Sequence, residues 1–144
     1  MNSRRSGFSF IEILVVILII SILSGAVAVS VISWVGKAKI ARAKADIGEL
    51  DVALEHYYVE QSHFPSQAQG LQAICSEPTT PPVPKSYPEG GYLKSAEVPR
   101  DPWGNEYVYK IPGPGGKPYE ILCYGADGEP GGDGDDSDIS SLGL

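Results

Sequence analysis

Phe8-Ser9-Phe10-Ile11-Glu12-Ile13-Leu14-Val15-Val16-Ile17-Leu18-Ile19-Ile20 opens an apolar run that continues to Gly36, with Glu12 as its only formal charge. Roughly twenty such residues span a bilayer as a helix. A secretory signal would carry a shorter apolar region and a small-residue cleavage site with no helix beyond it. Here the run passes straight into Lys37-Ala38-Lys39-Ile40-Ala41-Arg42-Ala43-Lys44, which favours helix and contains no proline. Further on, Ile40, Ala43, Ile47, Leu50, Leu54 and Tyr57 recur at intervals of three and four, with Asp46, Glu49, Asp51 and Glu55 between them. A coiled coil would give the same stripe, but the pattern is short for one, and a helix lying on its own domain accounts for it better. The helix stops at His63-Phe64-Pro65, because proline disfavours helix in the residue before it. From Phe8 to Gln61 the helix would measure on the order of 80 Å, far more than a bilayer needs.

Glu12 is the anomaly in this run. A carboxylate in a membrane segment costs a few kcal/mol unless it is paired or reaches the headgroups. Ahead of it stand Arg4-Arg5-Ser6-Gly7. A cut after Gly7 would give Phe8 a new ammonium four residues before Glu12, and the ammonium of one subunit could then face the carboxylate of the next. Both charges are costly alone in lipid and compatible together, so such pairing would favour assembly.

Gly7-Phe8-Ser9-Phe10-Ile11-Glu12 leading into an unbroken apolar helix resembles the class III leader of type IV pilins and pseudopilins. The resemblance implies cleavage after Gly7 and methylation of Phe8 by a membrane aspartic peptidase, the prepilin peptidase/methylase. Residues 1–7 are then the leader peptide, 8–36 the transmembrane and filament-core helix, and 37–62 its amphipathic continuation. Glu12 becomes the assembly glutamate. The chain departs from the family in having no proline near Val29, which leaves Gly25, Ser30 or Gly36 to soften the helix. Arg4 and Arg5 precede the span while Lys37, Lys39, Arg42 and Lys44 follow it, so the positive-inside rule alone would put the domain in the cytoplasm. The resemblance implies the reverse: a single-pass protein of the bacterial inner membrane with residues 63–144 in the periplasm.

After Pro65, Ser66–Cys75 reads as a short helix capped by Ser66, with Leu71, Ile74 and Cys75 facing inward. Pro78–Pro84 is a proline-rich loop, Tyr87–Leu93 a turn followed by a short extended piece, and Asp101-Pro102-Trp103-Gly104-Asn105 a tight turn. Two strand-like runs, Glu106–Ile111 and Tyr119–Tyr124, are joined by Pro112–Pro118 as a hairpin. The fold class is therefore α+β: a long N-terminal hydrophobic helix continuing into a small domain with a short helix and an antiparallel sheet. By resemblance it is type IV pilin-like. Trp103 and Tyr92 suit the core or the sheet edge.

The formal charge of −7 is uneven: residues 101–144 hold nine acids against Lys110 and Lys117 alone. Such a tail repels nucleic acid, and no basic patch with interleaved aromatics offers a surface for it. Asp127, Glu129, Asp133, Asp135, Asp136 and Asp138 sit on a glycine-rich loop, which suits either solvent or a hard cation such as calcium. Zinc would want a cluster of His and Cys. Cys75 and Cys123 allow a disulfide in an oxidising compartment, or two small packing residues. No catalytic constellation stands out; His56 and His63 have no nucleophile or metal partner nearby in sequence and read as surface or packing residues.

Phe64-Pro65, Gln69-Gly70-Leu71-Gln72-Ala73, Tyr87-Pro88-Glu89-Gly90-Gly91-Tyr92, Asp101-Pro102-Trp103-Gly104 and Gly125-Ala126-Asp127-Gly128, taken in order with the leader, resemble the major pseudopilins of type II secretion systems. The match runs over essentially the whole chain. It implies one structural calcium in the loop 124–139, held by Asp127, Asp136, Asp138 and the backbone carbonyl of Tyr124, with Asp133 and Asp135 as alternates. It also implies a non-enzymatic subunit, a homopolymer with minor pseudopilins, that helps folded proteins through an outer-membrane secretin. Energy would come from the secretion ATPase complex through an inner-membrane platform protein. Two other readings compete: a type IV pilin for adhesion, motility or DNA uptake, and a membrane-tethered binding domain that never polymerises.

Overall fold

The computed structural model describes residues 8–144, and within its long helix the description does not extend to the side chains of 25–33. That helix, α1 (Phe10–Gln61), is unbroken through Gly25, Ser30 and Gly36. Two compact units divide the chain, Met1–Gly36 and Lys37–Leu144.

In the second unit the 3–4 stripe does what its spacing demands. Ala43, Ile47, Leu50, Leu54 and Tyr57 are fully buried, Ala53 joins them, and Ile40 packs at the margin. Each large apolar side chain withdrawn this way contributes about 1.5–3 kcal/mol. The helix ends by a left-handed residue: Ser62 has φ 61° and donates its amide to the Tyr58 carbonyl at 2.7 Å. Pro65 follows and is buried, with the Tyr109 hydroxyl on its carbonyl at 3.0 Å.

The expected helix at 66–75 forms only in part. Ser66 does cap: its Oγ accepts the Gln69 amide at 3.3 Å while Gln69 Oε1 accepts the Ser66 amide at 2.8 Å, a reciprocal capping box. A turn then reaches Gly70, whose φ of 59° and ψ of −164° break helical continuation, and a 3-10 helix covers Leu71–Ile74. Leu71, Ile74 and Cys75 are buried as expected. Gln69 is itself buried, and its Nε2 donates to the carbonyls of Thr80 at 2.7 Å and Pro82 at 2.8 Å, tying down the proline-rich loop. The piece before Leu93 is not a strand. Tyr92 and Leu93 instead donate their amides to the Ile74 carbonyl at 2.8 and 3.1 Å.

The sheet is antiparallel and three-stranded: β1 (Val108–Lys110), β2 (Glu120–Cys123) and β3 (Ile139–Ser140), in that order. Tyr109 opposes Ile121, and Cys123 opposes Ile139. The two expected strands are therefore present but shorter than their apolar runs, and β3 was not foreseen. Tyrosines couple sheet to helix. Tyr107 donates its hydroxyl to Asp46 Oδ2 at 3.0 Å, and Tyr119 donates to Asp51 Oδ1 at 2.6 Å. An aromatic seam fills the rest of the core, with Tyr92 edge-on to both Tyr57 and Tyr87 at 5.3 Å. Tyr92 and Trp103 pack at the margin of this core.

Candidate assembly helix and acidic loop

The first unit is an apolar surface without a cover. From Phe8 to Leu23 all thirteen large hydrophobic side chains are exposed, from Leu14 at 46% to Phe10 at 81%. A soluble monomer rarely leaves so continuous a patch open, and one this large marks an interaction surface. Two of its polar side chains bond back onto the helix. Ser21 donates its hydroxyl to the Ile17 carbonyl at 2.8 Å. Glu12 lies three residues after Ser9, whose carbonyl accepts the Ile13 amide at 3.3 Å, and Glu12 Oε2 accepts the Ser9 amide at 3.4 Å. Glu12 thus serves as the returning half of a capping box in the first turn. The Ser9-x-x-Glu12 spacing is the signal in the sequence that carries this role. Gly7 and the rest of the expected leader lie outside the described residues. Among the described residues no helix is long and apolar enough to cross a membrane; the expected span of 8–36 includes 25–33, whose side chains are not described.

The acidic loop leaves β2 at Tyr124, over whose ring Lys110 Nζ sits at 5.9 Å. It closes on itself. Ala126 donates its amide to the Asp135 carbonyl at 2.9 Å, and a 3-10 turn covers Gly134–Asp136. Two glycines make the closure possible. At Gly125, with φ 68°, a Cβ would lie 2.6 Å from the Asp136 carbonyl carbon; at Gly132, with φ 88°, it would lie 2.7 Å from the Asp136 carbonyl oxygen.

The expected ligands are placed as follows. Asp127 Oδ1 accepts the Glu129 amide at 3.1 Å, and Asp138 accepts the Gly131 amide on both oxygens, at 3.1 and 3.0 Å. Asp136 sits where Gly125 and Gly132 crowd its backbone; Asp135 lies within the same turn and Asp133 stands at its start. Among the described residues no group of three or more His, Cys, Asp and Glu is close enough to share a metal ion. The donors fit calcium in kind, since the loop offers carboxylates and carbonyls and neither imidazole nor thiol, and calcium accepts that mixture in adaptable geometry.

The acidic loop is braced from the Asp101–Asn105 turn, which the sequence showed only as a turn. Asn105 Nδ2 donates to the Gly125 carbonyl at 3.1 Å. Cys123 and Cys75 are both buried free thiols. Burial pushes the Cys123 thiol up to about 11, and the Asp101 carboxylate that it donates to, at 3.2 Å, adds to the rise. His56 is exposed, and His63 packs edge-on to Tyr57 at 5.8 Å.

Comparison with known proteins agrees with this fold. Residues 30–142 match the family described as type II secretion system (T2SS), protein G, and residues 2–28 match the prokaryotic N-terminal methylation motif. The type II secretion system core protein G of Pseudomonas aeruginosa is 43% identical over 138 residues, 96% of this chain and 95% of that protein. The core protein G of Vibrio cholerae is 39% identical, over 98% of this chain and 94% of its own length. The crystal structure of the major pseudopilin from the type 2 secretion system of enterohaemorrhagic Escherichia coli superposes with a TM-score of 0.64 at 32% identity, covering 75% of this chain and 90% of that one.

Proposed function

Because the chain belongs to the type II secretion system protein G family, the major pseudopilins, we propose that it is the repeating subunit of a short periplasmic filament that helps folded proteins across the outer membrane. The observation that carries this reading is the uncovered apolar face of Phe8–Leu23 with one carboxylate, Glu12, near its start. Such a face is at home in lipid before assembly and among like helices after it. On this reading residues 1–7 are removed, Phe8 is methylated by the prepilin peptidase/methylase, and Glu12 takes a neighbour's new ammonium as partner. The chain crosses the inner membrane once, with residues 63–144 in the periplasm, and is a structural subunit. Copies of itself, minor pseudopilins, the platform protein, the ATPase complex and the secretin are the partners. Intact-mass analysis of the membrane-extracted protein is expected to show a chain beginning at a methylated Phe8, and Glu12→Ala is expected to abolish filaments and secretion. A chain that retains residues 1–7, or filaments that form normally without the Glu12 carboxylate, refutes the reading.

The acidic loop takes one structural calcium on the same reading. Asp127, Asp136, Asp138 and the Tyr124 carbonyl are the residues that would hold it, with Asp133 and Asp135 as alternates. A bound divalent cation would supply the charge that lets six acids share one loop. Support comes from the all-oxygen donor set and from the glycines that draw Asp136 in toward the start of the loop. A ligand present at one hundred times its Kd adds about 2.7 kcal/mol. Calcium is therefore expected to raise the melting temperature over that in chelator, and Asp127→Ala to remove the difference. Identical melts of the unaltered protein in both buffers exclude the ion.

A further inference from the structure

Asp101 is a buried carboxylate that accepts from three donors and, among the described residues, is paired with no cation. Its Oδ1 accepts the amides of Trp103 at 3.0 Å and Asn105 at 2.8 Å, and its Oδ2 accepts the Cys123 thiol at 3.2 Å. Its own amide donates to the Asn105 carbonyl at 2.9 Å, so the amide and the carbonyl of Asn105 are both held by one residue, through its carboxylate and its backbone respectively. A buried charge is costly unless its oxygens are occupied, and here the occupation itself immobilises the turn. Asn105 spends that rigidity on the acidic loop. Its Nδ2 holds the Gly125 carbonyl at 3.1 Å, and its side chain lies where a Cβ at Gly128 would come within 3.4 Å. The turn therefore grips the exit of β2 at alternate residues, Cys123 through Asp101 and Gly125 through Asn105. Gly125 and Gly128 bracket Asp127.

We propose that Asn105 is a positioning residue for the acidic loop, setting the path from Gly125 to Gly128 and with it the place of Asp127, and that Asp101 acts through Asn105. Its consequence for ion affinity rests on the calcium reading above; its consequence for the loop does not. Groups that hold ligands in place from behind typically alter metal affinity 10- to 100-fold when lost.

The test uses the full-length chain in detergent, with two readouts: calcium chloride affinity by calorimetry, and hydrogen exchange of the Ala126 amide, which is bonded to the Asp135 carbonyl, in chelator. Asn105→Ala is expected to weaken calcium about tenfold and to speed exchange at Ala126 by a similar factor. Asn105→Asp keeps the shape but loses the donor, and is expected to do the same with the far-UV spectrum unchanged. Asp101→Ala should match Asn105→Ala. Asp101→Asn should restore both readouts to near those of the unaltered protein, because its side-chain carbonyl can still accept the Trp103 and Asn105 amides. Unchanged exchange at Ala126 in both Asn105 variants overturns the proposal, as does an effect of Asp101→Ala without one in Asn105→Ala. If the unaltered protein binds no calcium, the calcium reading alone is lost and the exchange result decides.

Discussion

At the scale of single residues, Gly125 carries more than its size suggests. Its backbone is left-handed, and the space a Cβ would need is filled by the Asp136 backbone rather than by a side chain that could yield. Gly125→Ala should therefore destabilise the domain by about 2–4 kcal/mol, combining conformational strain with a steric clash. Urea denaturation of the unit Lys37–Leu144 would read this as a lower midpoint, whereas Gly115→Ala, which meets nothing within 4 Å, isolates the strain alone. The sequence showed the glycines and acids of this loop but not their partners. Which amide a carboxylate accepts depends on how the loop closes, and closure depends on contacts, such as Asn105 with Gly125, that lie twenty residues apart.

At the scale of elements, α1 was legible from end to end because its information is local. Period 3.6 is written in consecutive residues, and its stop is a serine in the left-handed region followed by a proline. Leu50 is fully buried and Val52 is 56% exposed on the same helix. Leu50→Ala should cost about 2–5 kcal/mol, against less than about 0.5 kcal/mol for Val52→Ala, as measured by the same denaturation. Comparable losses at both positions would contradict the assigned face. The segment 66–75 departs from the expected helix because Gly70 interrupts an otherwise helical composition. β3 was missed because two residues cannot display alternation; Ile139 and Ser140 become a strand only by pairing with β2, with Ser140 Oγ donating to Glu120 Oε1 at 2.6 Å. Tertiary pairing settled what local pattern could not.

At the scale of the whole molecule, the domain of Lys37–Leu144 is held by tyrosines whose hydroxyls must stay protonated. Burial raises Tyr87, Tyr107, Tyr109 and Tyr119, with the carboxylates of Asp46 and Asp51 adding at Tyr107 and Tyr119, and burial pushes Tyr92 up to about 12. An unfolded tyrosine ionises near pH 10. The raised groups thus contribute stability that is fully present below pH 10 and lost as pH rises through their folded values. Between about pH 10 and 12 the melting temperature should fall steadily, and tyrosinate absorbance should appear together with loss of helical signal. Ionisation of all eight tyrosines ahead of unfolding would mean that the buried hydroxyls are free in solution.

The first unit presents the opposite economy. Ser21 turns its hydroxyl onto its own backbone, and every large side chain around it is hydrocarbon. A cylinder of uniform oil grips any neighbour but cannot tell one rotation or sliding position from another. On the proposed assembly, adhesion and indexing would therefore fall to different groups in this stretch, with Glu12, the one formal charge between Phe8 and Leu23, as the notch by which its setting is counted.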